Sequence, residues 1–150
     1  MSSAALLRVL TWRQGPLHLL LPAAAVLEVM RRGALEPAAG APPWVLGSCN
    51  WRGLRLPLAV LAGGLRPTDA RAPVVVCALP HGRGPKALGL LAEHIPTLAR
   101  PRERDIVPAA PTPLNPLLLT ALSWAGQVYA VPDLYALEAE LEGVDAAKST

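Results

Sequence analysis

Three histidines, two cysteines and a cluster of glutamates are the residues of this 150-residue chain whose types could do chemistry. His18, His81 and His94, with Cys49 and Cys77, are zinc-ligating types, but they show no ligand spacing relative to one another. Cys49 and Cys77 each sit inside an apolar run, where a buried, inert thiol is the usual state. Two cysteines in a chain that reads as intracellular do not imply a disulfide. Gly82-Arg83-Gly84-Pro85-Lys86 has the glycines and lysine of a phosphate loop. It lacks the GxxxxGK frame followed by Ser or Thr, and Pro85 removes an amide donor, so it reads as a hairpin turn. Glu138, Glu140 and Glu142 fall on a helix, mostly on its wet side. Catalytic, cofactor-binding and metal-binding residues are therefore all expected to be none.

Arg52 is a different kind of candidate. Val45 to Trp51 and Leu54 to Leu58 are short apolar runs flanking Arg52-Gly53, which reads as strand, tight turn, strand. Gly53 can take a positive φ without steric cost, as a two-residue turn between twisted strands requires. Arg52 is left at the tip, either as a solvated turn residue or as a partner contact on a stiff support. A second copy follows: Trp51, Gly53, Leu56, Leu58 and Leu61 align with Trp124, Gly126, Tyr129, Val131 and Leu134 at one offset of 73 residues. Two copies predict two like-built lobes, each about half the chain. The second turn has Ala125 where the first has Arg52, so the hairpin itself does not demand arginine.

The elements that must carry these residues are mostly strands. Ala5 to Trp12 and Leu17 to Leu21 are β-like runs joined by Gly15-Pro16, and Pro22 to Ala25 starts one helical turn. Val26 to Met30 reads as a strand with Glu28 as its polar break. Arg66 to Ala72 looks like the connector between lobes. Pro73 to Leu79 is a continuous apolar run and reads as a buried strand. Asp133 caps a terminal helix to Glu142, with Leu134, Leu137 and Leu141 at helical spacing and Gly143 ending it. Short strands with Pro/Gly turns every eight to twelve residues point to small β-barrels rather than a parallel sheet.

Apolar residues make up 52% of the chain, yet no run reaches the roughly 18 residues of a membrane span. Arg8 breaks the N-terminal apolar run, so no signal peptide is read and a cytoplasmic location is expected. The net charge is +3, but the arginines are scattered and do not cluster with aromatics, which argues against nucleic-acid binding.

The motifs in order are Leu21-Pro22, Val26-Leu27-Glu28-Val29, Pro42-Pro43-Trp44-Val45-Leu46-Gly47, Asn50-Trp51-Arg52-Gly53 and Leu56-Pro57. With Gly89-Leu90-Leu91-Ala92-Glu93-His94-Ile95 and Tyr129 to Leu134, they resemble the CheW family of chemotaxis adaptor proteins over residues 6 to 142. The resemblance implies an all-β fold of two five-stranded β-barrel lobes, SH3-like, with a short C-terminal helix and a tail at 143–150. It also implies a non-catalytic adaptor, recruited to membrane receptor arrays without inserting into the membrane. Its partners would be the cytoplasmic tip of chemoreceptors and the regulatory domain of a CheA-type histidine kinase. Positions matching the family's contact residues are Val26, Glu28, Gly47 and Arg52; Asn50 and Gly53 match as turn-shaping residues. Trp51 replaces the family's usual leucine, and Val60 stands where the family has Asp. The Asn50-Trp51-Arg52-Gly53 variant is similar to coupling proteins of type IV pilus twitching systems. A β-barrel peptide- or ligand-binding module outside chemotaxis is the alternative, and an enzyme assembled from scattered residues is a third.

Overall fold

Two glycine turns set the local geometry. Arg52 and Gly53 have φ of 53° and 80°, and Ala125 and Gly126 have 52° and 77°. Positive φ at both central residues is the turn whose twist matches paired strands. In the computed structural model, which describes residues 5–62, 69–109 and 116–148, these turns join β4 (Val45–Trp51) to β5 (Leu54–Ala59) and β10 (Leu118–Trp124) to β11 (Gln127–Pro132). The other strands are β1 (Val9–Gln14), β2 (Leu17–Pro22), β3 (Val26–Arg31), β6 (Pro73–Ala78), β7 (Ala87–Leu91), β8 (Thr97–Ala99) and β9 (Val107–Pro108). The expected helical turn is a 3-10 turn at Ala23–Ala25.

The strands form two sheets, ordered β3-β6-β7-β5-β4 and β8-β1-β2-β11-β10-β9. Each repeats one plan. A glycine-turn hairpin pairs in parallel with a second antiparallel pair, β5 with β7 at Leu58–Gly89 and β11 with β2 at Ala130–Leu19. A further strand, β3 or β8, lies at the far edge. The expected five strands per lobe become five and six, the extra one being the two-residue β9. The lobes are not consecutive halves of the chain, however. The N-terminal hairpin β1–β2 joins the C-terminal hairpin β10–β11, while residues 26–91 supply the other sheet. The stretch 66–72, read as a connector between lobes, instead runs between β5 and β6 of one sheet; its residues 66–68 lie outside the described residues.

Between the sheets lies a shared core. β6 has both faces buried, which is why it reads as an unbroken apolar run. Val75 and Cys77 face a cluster containing Trp12, Leu19 and Leu21 of the other sheet, while Val74 and Val76 face a second cluster with Trp51, Leu56 and Leu58. The helix α1 (Leu134–Lys148) closes the first cluster with Leu137 and Leu141. Asp133 caps it, its Oδ1 accepting from the amides of Tyr135 and Ala136 at 3.1 Å each. Gly143 does not end this helix, which continues to Lys148. Glycine costs a helix only about 1 kcal/mol, and Ala146, Ala147 and Lys148 favour continuation.

Candidate functional site

Glu28, Trp51 and Arg52 meet at the tip of the β4–β5 hairpin. β3 and β4 are opposite edges of their sheet, so the meeting brings those edges together through side chains. Asn50 shapes the turn, its Oδ1 accepting from the Gly53 amide at 2.9 Å. Trp51 is buried beside it, with its indole Nε1 donating to Glu28 Oε1 at 2.6 Å. Arg52 Nη2 reaches the same oxygen at 3.0 Å, and its guanidinium lies 5.2 Å from the centre of the Trp51 ring. The Arg52 side chain is 69% exposed and that of Glu28 33%. Solvated ion pairs of this kind contribute only about 0–1 kcal/mol. The tip therefore presents a charged pair on a β-hairpin, one whose ion pair adds little to stability.

Glu28, the polar break of its strand, faces inward. It is half-buried against Trp51, whereas the apolar Leu27 and Val29 point outward and are exposed. Val26 is half-buried against the shared core, one β-bulge away from Glu28. Gly47 lies away from the tip and is buried. A Cβ there would sit 2.5 Å from the Glu36 carbonyl oxygen, so glycine lets the Leu35-Glu36 segment close onto β4. Glu36 and Ser48 then exchange backbone hydrogen bonds of 2.8 Å each way. Val60 is half-buried, its amide donating to the Trp44 carbonyl at 2.8 Å.

Of the glutamates read as mostly solvent-facing, Glu140 is exposed as expected, whereas Glu138 is buried. Glu138 is 1% exposed and accepts from the amides of His81 and Gly82 and from His81 Nδ1 at 2.8 Å. Burial alone would raise its pKa; the Gly82 and His81 amides and the His81 imidazole outweigh that and hold it below the ordinary carboxylate range. Glu140 accepts from the Trp44 indole at 2.9 Å. Ligand atoms of His81, Glu138 and Glu142 lie within 4.8 Å of one another, close enough to hold a cation, a grouping that sequence spacing misses. The internal hydrogen bonds of Glu138 account for its burial without one. Cys49 and Cys77 are free, buried thiols, and burial pushes Cys77 up to about 12.

These features define a class: a two-lobed β protein that holds a charged turn out on a β-hairpin. The CheW-like domain model matches residues 8–142, and the chain belongs to that family of non-catalytic chemotaxis scaffolds. The scaffolding protein TtCheW from Thermoanaerobacter tengcongensis shares the fold, with a TM-score of 0.71 over 88% of this chain and 87% of that one, at 15% identity. No curated protein matches the sequence. Among the described residues, no helix is long and apolar enough to cross a membrane.

Proposed function

We propose that this protein couples the cytoplasmic tips of chemoreceptors to the regulatory domain of a CheA-type histidine kinase. In this reading it acts in the cytoplasm and is recruited to receptor arrays. The observation that carries the reading is the exposed Arg52–Glu28 pair on the hairpin tip, in a chain of the chemotaxis scaffold family. Arg52 makes the partner contact through charge-assisted hydrogen bonds. Glu28 holds it, Val26 borders the same strand, and Gly47 keeps β4 seated behind the tip. The tryptophan variant of the turn motif supports a type IV pilus twitching system as the output. Titration calorimetry against the kinase regulatory domain of the same organism should give a dissociation constant in the micromolar range, as for a contact of modest area. Absence of binding heat with every such kinase would overturn the coupling role. Binding only to the flagellar kinase would overturn the pilus assignment alone.

A further inference from the structure

A groove of roughly 740 Å³ runs beside the hairpin, lined by Arg31, Arg32 and Arg55, with Glu36 its single acidic wall residue. Arg31 and Arg55 are exposed, whereas Arg32 is 9% exposed. Arg32 Nε donates to the Gly33 carbonyl at 3.2 Å, and among the described residues no carboxylate pairs with any of the three arginines. The packed stem of Arg32 leaves its terminal nitrogens in reach of the groove, so an anion there meets a positive wall. The groove wall also has a free strand edge. Pro57 has no N–H, so Ser48–Pro57 is a pair whose backbone groups point away from each other. Ser48 accordingly turns its N–H and C=O outward, onto Glu36. Asn50, two residues on, turns its own to the same side.

We infer that this groove docks an extended, acidic segment of a partner protein, its carboxylates against Arg31, Arg32 and Arg55 and its backbone against the edge of β4 at Asn50. The charge of the lining selects the sign of the occupant. The volume and the strand edge favour a peptide over a single small anion. The site does not rest on the adaptor reading, because Arg52 is not among its lining residues.

The test uses a fluorescein-labelled octa-glutamate peptide and its anisotropy on titration with the full chain. Binding that weakens as salt rises is expected, with affinity falling about tenfold or more in Arg31→Glu/Arg55→Glu, which adds repulsion as well as removing contacts. Arg31→Gln/Arg55→Gln provides a second variant should the charge reversal fail to fold. Arg83→Glu/Arg104→Glu, the same charge change at exposed positions elsewhere, should leave affinity nearly unchanged. No binding by wild type overturns the inference. Equal losses in the two reversals reduce it to net charge and overturn it too. Displacement of the peptide by inorganic phosphate at matching concentration would make the groove a simple anion site. Failure here leaves kinase calorimetry as an independent test of the adaptor role.

Discussion

At the scale of single residues, Arg52 and Glu28 touch each other but stand on different physical footings. Arg52 occupies a left-handed backbone conformation that costs an L-residue about 1–2 kcal/mol, and its ion pair is exposed. Arg52→Ala should therefore change stability by less than about 1 kcal/mol, and Arg52→Gly should be neutral or stabilising. Arg52→Glu places a second carboxylate beside Glu28 and should weaken partner association most. Thermal melts and calorimetry on the three variants check this; unimpaired kinase binding by Arg52→Glu would leave Arg52 a solvated turn residue. Glu28→Ala removes the acceptor of the buried Trp51 indole, a bond to a charged group worth about 1.5–3 kcal/mol. Glu28→Gln keeps an acceptor and should retain most of the stability. Glu138 adds a pH dependence. Its pKa is lowered in the folded state, so its contribution is fully present above the ordinary carboxylate range and is lost as pH falls through its folded value. Denaturant titrations should show wild type and Glu138→Gln converging as pH falls through that range; a constant gap would refute the assignment. The Arg52 tip was legible because turn chemistry is local. Glu138 was not, because its partners His81 and Gly82 come from a distant loop that only the packed fold brings to it.

At the scale of elements, the strands follow from local signals. Glycine at a two-residue turn, the short apolar runs flanking it and an unbroken run at β6 each depend on neighbours within a few residues. Two misreadings share one cause. Glu138 on a wet helix face and Gly143 as a helix stop were read from the element alone, and the packed fold overrode both. Gly47 shows the same force from the backbone side. It matches a family contact position, yet its buried setting against the Glu36 carbonyl is explained by close approach. Gly47→Ala must push that backbone away, and over-packing of this kind costs about 1–3 kcal/mol. Chemical denaturation should show the loss, and the Glu36–Ser48 amides should exchange faster with solvent. If stability is unchanged while kinase affinity falls, Gly47 is a contact residue, and the packing account fails.

At the scale of the whole molecule, the repeat in the sequence announces two lobes, but chain order conceals how they are assembled. The parallel pairing of β2 with β11 joins segments from the two ends of the chain, and no local pattern marks it. One buried side chain connects the resulting lobes. Gln14 ends β1 in the six-stranded sheet, is fully buried, and reaches into the five-stranded one. Its Nε2 donates to the carbonyls of Ala59 at 3.0 Å and Leu91 at 2.8 Å, and its Oε1 accepts from the Leu61 amide at 2.8 Å. The donors and acceptor of one amide thus satisfy three backbone groups at the ends of β5 and β7, where those strands run past each other in parallel. Beside it, Glu93 fixes the same corner, its amide donating to the Arg13 carbonyl at 3.0 Å and its carboxylate accepting from the Gly15 amide. Gln14→Leu keeps the volume but takes the side-chain donor away from the buried Ala59 and Leu91 carbonyls, at about 1–3 kcal/mol for each. Against a total stability of about 5–15 kcal/mol for a domain, that loss is large. The variant should melt at a markedly lower temperature than wild type and bind the kinase more weakly at temperatures where wild type is intact. Gln14→Met, which also lacks the amide, should behave alike, whereas Gln14→Asn is too short to span the gap and should fall no better. If Gln14→Leu melts with wild type, the lobes are held by the apolar junction alone and the amide is incidental.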